Sequence, residues 1–431
     1  MSTPVINQTA PGTLLSVLAD ALETTQRDSK SVGLLIVHLE NYDRLVSAFG
    51  YRLGNLVIAA FAERLQEVAR PKDRVLRISD SKFALIINSL SNTNILMLAA
   101  SKITQIFAKP IPTGANNITV DMRIGIAAGP DPASSAELLL QHAETALLAA
   151  VTDQRCSATY SAEQAERTTD SLRLEIELDL AIKRNEFELH YQPKISSRDF
   201  RPCGAEALIR WNNRKRGPVS PEVFIPIADR QGRMEPLTSF VLNTALRQAS
   251  EWPCRGSELA ISINVTPRLI LESDLVAMVA GALKLWDFEP RRLIVEITEG
   301  AIMTDPNRSF EVLSELRRIG VKISIDDFGT GYSSLAYFKN IPANELKIDK
   351  SFVLNMFEDD GDKQIVKAII ELSRGFGLEV TAEGVEDQKT AALLAELRCD
   401  RLQGYHFSRP LPHDDFIAWL DAYERKAALT G

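Results

Sequence analysis

Glu206, Asn264, Glu296, Asp326 with Asp327, Lys347, Glu383 and Gln403 each stand at or just past the end of a short run rich in β-forming residues. One carboxylate in such a place is most often a helix N-cap or a solvated loop residue. A polar group at nearly every run end is a different pattern, because carboxylates are costly to bury unless paired or bound to metal. Brought to one place, they would make a divalent cation site. Hard oxygen ligands with no Cys and no nearby His favour Mg²⁺ or Mn²⁺ over Zn²⁺. Two such ions, roughly 3.5–4 Å apart, can clamp the attacking and leaving oxygens of a phosphoryl displacement and generate hydroxide near neutral pH. Lys347 would add a positive charge able to hold that nucleophile.

A barrel would position these groups. After Glu186 the chain repeats a β-rich run followed by a helical stretch, with runs at 187–193, 204–211, 259–265, 293–298, 321–326, 345–348, 378–382 and 399–404. The repetition predicts a TIM-like (β/α)8 barrel over residues 186–425, with its reacting groups at the C-terminal ends of the strands. Residues 1–31 hold a leading amphipathic helix, with Leu14, Leu15, Val17, Leu18, Ala21 and Leu22 at helical spacing. Its polar face has no Lys/Arg cluster, so packing on its own domain or on a second copy explains it better than membrane contact. Residues 32–153 mix strands (33–39, 74–87, 118–127) with helices (51–69, 94–107, 136–150), which predicts an α+β domain. Residues 154–185 read as a polar, helical connector. The fold class for the whole chain is α/β.

The composition fits two soluble globular domains, with 45% hydrophobic and 25% charged residues in a chain of 431. A net charge of -8 argues against a general binder of nucleic acid or of anionic membranes. An anionic ligand must therefore meet a local positive site. The four cysteines, Cys156, Cys203, Cys254 and Cys399, show no CxxC spacing, so neither a zinc site nor a disulfide framework is indicated. No basic-then-apolar leader is evident, and no uninterrupted apolar run reaches roughly 18 residues. A cytoplasmic protein is expected.

Residues 191–405 resemble the EAL phosphodiesterase family. The match runs in order through Tyr191-Gln192-Pro193, Glu206-Ala207-Leu208-Ile209-Arg210-Trp211, Phe224-Ile225-Pro226, Ser262-Ile263-Asn264 and Glu296-Ile297-Thr298-Glu299. It continues through Asp326-Asp327-Phe328-Gly329-Thr330-Gly331-Tyr332-Ser333-Ser334-Leu335, Leu346-Lys347-Ile348-Asp349, Ala382-Glu383-Gly384-Val385-Glu386 and Gln403-Gly404-Tyr405. The tripeptide alone carries little information, whereas the unbroken Asp-Asp-Phe-Gly-Thr-Gly stretch in context carries much.

The resemblance implies hydrolysis of the messenger cyclic-di-GMP to linear pGpG by a two-metal, water-activated mechanism. It assigns Glu206, Asn264, Glu296, Asp326, Asp327 and Glu383 to two Mg²⁺ or Mn²⁺ ions. Lys347, Glu383 and Gln403 become the catalytic groups, with Glu383 near the second ion or acting as a base. Gln192, Leu208, Arg210 and Gln403 contact the dinucleotide, and Arg210 offers a planar fork for a phosphate oxygen. Glu299 and residues 328–334 form a loop coupled to metal binding and dimerisation, and Glu386 orients its neighbours. A homodimer is implied. Departures such as Ala228-Asp229, Gly232-Arg233-Met234 and Asn264-Val265-Thr266 remove no ligand.

Residues 32–153 resemble, more weakly, the GGDEF diguanylate cyclase domain. Gly50, Gly54 and Arg77 keep its frame, but the signature is here Ser79-Asp80-Ser81-Lys82-Phe83. The family's early metal-binding aspartate aligns with His38, and its guanine-contacting Asn and Asp align with Val46 and Asn55. A lysine where Mg²⁺ should sit opposes two-metal cyclisation, so no cyclase activity is expected. A regulatory or dimerisation role follows, with a regulatory protein as a candidate partner there. Arg70 and Asp73 stand at the spacing of that family's inhibitory cyclic-di-GMP site, and a charged surface turn explains the same residues. The alternative for the whole chain is a receptor that binds cyclic-di-GMP without turnover and signals through a partner. A pure scaffold gives no physical reason to retain Lys347, Glu383 and Gln403 together.

Overall fold

The computed structural model describes residues 11–27, 30–113, 116–252, 259–329 and 341–430. The chain forms two compact units, residues 1–173 and 174–431, and the helix Ala162–Lys183 runs across the division.

The first unit holds β1 (Ser31–Leu39), β2 (Arg74–Arg77), β3 (Lys82–Leu90), the small hairpin β4 (Ile111–Thr113) and β5 (Asn116–Ile118), β6 (Met122–Gly129) and β7 (Ser157–Thr159). Its main sheet has the order β2-β3-β1-β6-β7. β1 reads as an almost continuous apolar run because both its faces are covered. Leu35, Val37 and Leu39 pack with Phe61, Leu65 and Phe107, and Leu34 and Ile36 pack with Leu14, Leu18, Leu139 and Leu147. The leading helix, Pro11–Arg27, thus buries its apolar stripe on its own unit. The stretch expected as a purely helical connector also supplies β7, which pairs in parallel with β6. Three residues are too short to show a period of two.

The helix expected at 51–69 begins earlier, as Tyr42–Val68. Among the described residues it is the one helix long and apolar enough to cross a membrane by length and composition. Charged residues interrupt its apolar run in the sequence. Gly50, at φ 80° and ψ 164°, breaks the helix, a conformation open to a residue without Cβ. Val57, Ile58, Phe61 and Leu65 pack into the core.

The second unit is a closed eight-stranded barrel. Its chain order is β8 (Phe187–Ser196), β9 (Pro202–Asn213), the short β10 (Gly217–Val219), β11 (Ala260–Asn264), β12 (Leu293–Thr298), β13 (Lys322–Phe328), β14 (Glu345–Ile348), β15 (Glu379–Ala382), β16 (Arg401–Leu402) and the short β17 (Leu411–Pro412). The barrel runs β9-β11-β12-β13-β14-β15-β16-β8, and pairing of β8 with β9 closes it. Every pairing from β9 round to β16 is parallel. β8 is antiparallel to both neighbours. This corrects the expected repeat: the first run is followed by a direct return into β9, with no helix between. Alternate strand residues such as Ile263, Val295, Ile323, Leu346 and Val380 join the helices in one large apolar cluster. The positions between them point into the barrel.

Candidate active site

All eight barrel strands deliver a polar group to one mouth. Gln192 lies on β8 directly opposite Glu206 on β9, and Asn264 ends β11 beside Glu296 on β12. Asp326 and Asp327 lie near the end of β13, just before Phe328, and Lys347 lies within β14. Glu383 and Gln403 follow β15 and β16 by one residue.

Lys347 is the hub. Its Nζ lies 2.6 Å from Glu383 Oε1, 2.7 Å from Glu296 Oε2, 3.0 Å from Asp326 Oδ2 and 3.6 Å from Glu206 Oε2. Glu206 accepts from Asn264 Nδ2 at 2.6 Å and from Gln403 Nε2 at 2.7 Å. Gln403 Nε2 also donates to Gln192 Oε1 at 3.0 Å, which joins the last strand to the first. Asp327, held at φ 53°, donates its N–H to Asp326 Oδ1 at 2.9 Å. Carboxylate oxygens of Asp326, Asp327 and Glu383 lie within 4.8 Å of one another.

The sequence reading missed a second polar layer beneath the mouth. Lys194 Nζ donates to Glu296 Oε1 at 2.6 Å, to Ser262 Oγ at 2.8 Å and to Glu345 Oε1 at 3.4 Å. Glu345 is also held by Arg401 and by Thr381 Oγ1 at 2.9 Å. The signal was present: Lys194, Ser262, Glu345, Thr381 and Arg401 each lie two residues from a mouth residue on the same run. A period of two puts both on one face.

Charge decides what this mouth can hold. Glu206, Glu296, Asp326, Asp327 and Glu383 face two ammonium groups, Lys194 and Lys347, which leaves an excess of three negative charges. The strain appears in the acidities. Burial raises Glu383 to about 8, with Asp326 and Glu206 adding to the rise and Lys347 opposing it. Burial and Glu296 raise Glu206, and burial and Asp326 raise Asp327. Glu296 goes the other way, to about 2, because Lys194 and Lys347 overcome the effect of burial. Divalent cations would relieve the excess, and a set of carboxylate oxygens with one amide suits a hard ion. Glu296 has each oxygen on a lysine, so it would meet an ion only through a remaining lone pair.

The remaining candidates surround this cluster. Leu208 and Arg210 continue β9 beyond Glu206 and are half-buried. Arg210 donates to the Ile209 carbonyl at 2.9 Å, and burial lowers its pKa. Gln192 also donates to the Ser408 carbonyl at 3.3 Å. Glu299 is buried and accepts from the Gly329 N–H at 3.2 Å, which ties the helix Glu299–Thr304 to the residue after β13. Its Oε1 has no hydrogen-bond partner among the described residues. Glu386 stands exposed in the loop after β15. Residues 330–334, part of the expected coupled loop, lie outside the described residues.

The sequence model of the EAL domain matches residues 175–410, more than half of the chain. The chain belongs to the EAL domain family. Residues 7–156 match the model described as the diguanylate cyclase GGDEF domain. The chain is 33% identical over 403 residues, 93% of its length and 59% of the relative's, to the bifunctional diguanylate cyclase/cyclic di-GMP phosphodiesterase MucR of Pseudomonas aeruginosa. It is 32% identical over 414 residues to the cyclic di-GMP phosphodiesterase NbdA of the same organism, covering 96% of this chain and 53% of that one. This chain therefore spans a little over half the length of these relatives. A solved structure of the MucR phosphodiesterase in complex with c-di-GMP superposes with a TM-score of 0.55 at 39% identity, over 57% of this chain and 99% of that one.

In the GGDEF region, the residues aligned with the cyclase ligands meet one another. His38 pairs with Lys82 across β1 and β3, and Lys82 Nζ forms an ion pair with Glu144 Oε2 at 2.8 Å. Burial and the Lys82 charge lower the His38 pKa. Arg77 pairs with Asp80 at 3.5 Å. Arg70 makes two hydrogen bonds to the Asp73 carboxylate, at 2.9 and 3.0 Å, and Asp73 also accepts from the backbone N–H of Arg70 and of Asn88. Burial works to raise the Asp73 pKa, and these hydrogen bonds bring it below the usual value. That geometry is a self-satisfied surface turn.

Proposed function

We propose that the EAL domain hydrolyses one phosphodiester bond of cyclic-di-GMP to give linear pGpG, with two Mg²⁺ or Mn²⁺ ions held by Glu206, Asn264, Glu296, Asp326, Asp327 and Glu383. The observation that carries this is the convergence of five carboxylates, from four strands of the barrel, around Lys347 and Gln403. Bound ions would supply Lewis acidity at the phosphoryl oxygens and make water acidic enough to attack near neutral pH. Lys347 places a positive charge beside Glu383 and Asp326, where it can orient an attacking water. Glu383, whose Oε1 lies 2.6 Å from Lys347 Nζ, would hold the second ion or take a proton from that water. Gln403 positions Glu206 and Gln192. Gln192, Leu208 and Arg210 line the dinucleotide, with the Arg210 fork meeting a phosphate oxygen.

The GGDEF region is assigned a regulatory or dimerisation role without cyclase activity, in a homodimer or against a regulatory protein. The Lys82–Glu144 pair and His38 support this, because they leave no acid pair at the aligned metal position. The test of the main reading is chromatographic. The full chain with cyclic-di-GMP and Mg²⁺ or Mn²⁺ should release pGpG, and Glu206→Ala should lower the rate on the order of 100-fold or more. Tight binding of cyclic-di-GMP with no pGpG from the wild-type chain would replace the enzyme with a receptor.

A further inference from the structure

Lys194 lies beneath the mouth and is almost wholly buried, with a side-chain exposure of 2%. Its three ammonium hydrogens face three acceptors: Ser262 Oγ, Glu296 Oε1 and Glu345 Oε1. A buried ion pair is weak evidence of a role by itself, since apolar residues of similar volume often replace one without loss. The two acids it faces are not equivalent, however. Glu345 keeps Arg401 and Thr381 as partners without Lys194, and the Lys194 contact at 3.4 Å is its longest. Glu296, with no side-chain exposure, has one lysine on each oxygen, at 2.6 and 2.7 Å.

We propose that Lys194 is a positioning residue for the EAL site: by holding Glu296 Oε1, it keeps Glu296 Oε2 on Lys347 and so keeps Lys347 among the mouth carboxylates. Without Lys194, Glu296 Oε1 would be an enclosed anionic oxygen with no donor. The carboxylate would then turn to share Lys347 or take up a proton. Sharing draws the Lys347 ammonium down, away from Asp326 at 3.0 Å and Glu383 at 2.6 Å. Protonation removes one of the acids that fix Lys347. In both cases the cation geometry of the mouth degrades, although no mouth residue has been changed.

This inference rests on the two-ion phosphodiesterase reading. The sign of one measurement separates positioning from simple charge balance: Lys194→Met makes the site more negative by one charge, so charge alone would tighten Mn²⁺ binding. Positioning gives the opposite result, with calorimetric Mn²⁺ affinity and kcat both about 10–100-fold lower and KM for cyclic-di-GMP within about twofold. The control Glu345→Gln removes the other acid facing Lys194 but leaves both lysines on Glu296, so it should keep Mn²⁺ affinity and kcat within about threefold of wild type even where it lowers the metal-free thermal midpoint. Mn²⁺ binding in Lys194→Met as tight as wild type or tighter, or a loss of Mn²⁺ affinity and kcat in Glu345→Gln as large as in Lys194→Met, would overturn the proposal. A wild-type chain that binds Mn²⁺ but releases no pGpG sinks the phosphodiesterase reading, and the calorimetric comparison still decides the part played by Lys194. A wild-type chain that binds no Mn²⁺ overturns both.

Discussion

Glu383 shows how one side chain reports on the whole mouth. Its carboxyl is raised to about 8 from 4.5 by burial, with Asp326 and Glu206 adding to the rise and Lys347 opposing it. In a chelator, the folded chain therefore retains a proton here across a pH range in which the unfolded chain has released it. Stability falls with rising pH wherever the folded state binds the extra proton. The contribution of Glu383 is thus most favourable below about pH 4.5 and is lost as pH rises towards 8. Glu383→Gln removes that titration. Urea midpoints measured in a chelator should fall more steeply for wild type than for the variant between pH 4.5 and 8. Parallel pH profiles would show that the acid is not strained by its neighbours.

At the scale of elements, much of the architecture was legible because the relevant signals are local. The helix 94–107 and the strands 293–298 and 345–348 appear with the expected bounds. The mouth residues were legible from their places at run ends. The direction of β8 was not, because alternation looks the same for a strand running either way. Lys194, Glu345 and Arg401 were hidden for a related reason: a charged residue inside a β-rich run reads as a solvated face until closure of the barrel makes that face its interior. The loop after β16 shows how tightly such elements fit. A Cβ on Gly404 would stand 2.1 Å from the Val385 carbonyl oxygen and 2.3 Å from its nitrogen. Backbone cannot swing aside as a side chain can, and Val385 is fixed by hydrogen bonds to Gln403 at 3.1 Å and His406 at 2.9 Å. Gly404→Ala should lower stability by about 3 kcal/mol in thermal unfolding. It should also reduce turnover by displacing Gln403 from Glu206. Wild-type midpoint and rate in this variant would contradict the close approach.

At the scale of the whole molecule, the hydrophobic clusters among the described residues stay within one unit or the other. Those built on β1 and its sheet use residues 14–147, and those of the barrel use residues 174–420. Only the helix Ala162–Lys183 belongs to both units. Cooperativity follows shared buried contacts, so separate cores imply separate melting transitions. Phe61 is fully buried in the first unit, with its ring 4.1 Å from that of Phe107, so Phe61→Ala should cost about 3–5 kcal/mol there. A bound ion stabilises only the unit that holds it. Calorimetry of the full chain should accordingly show two transitions. One should fall in Phe61→Ala and not respond to Mn²⁺. The other should rise with Mn²⁺ and be unchanged by Phe61→Ala. A single transition moved by both treatments would mean that the long helix couples the two cores. In that case a signal received by the GGDEF region could reach Lys347 through shared stability alone, with no change of shape at the mouth.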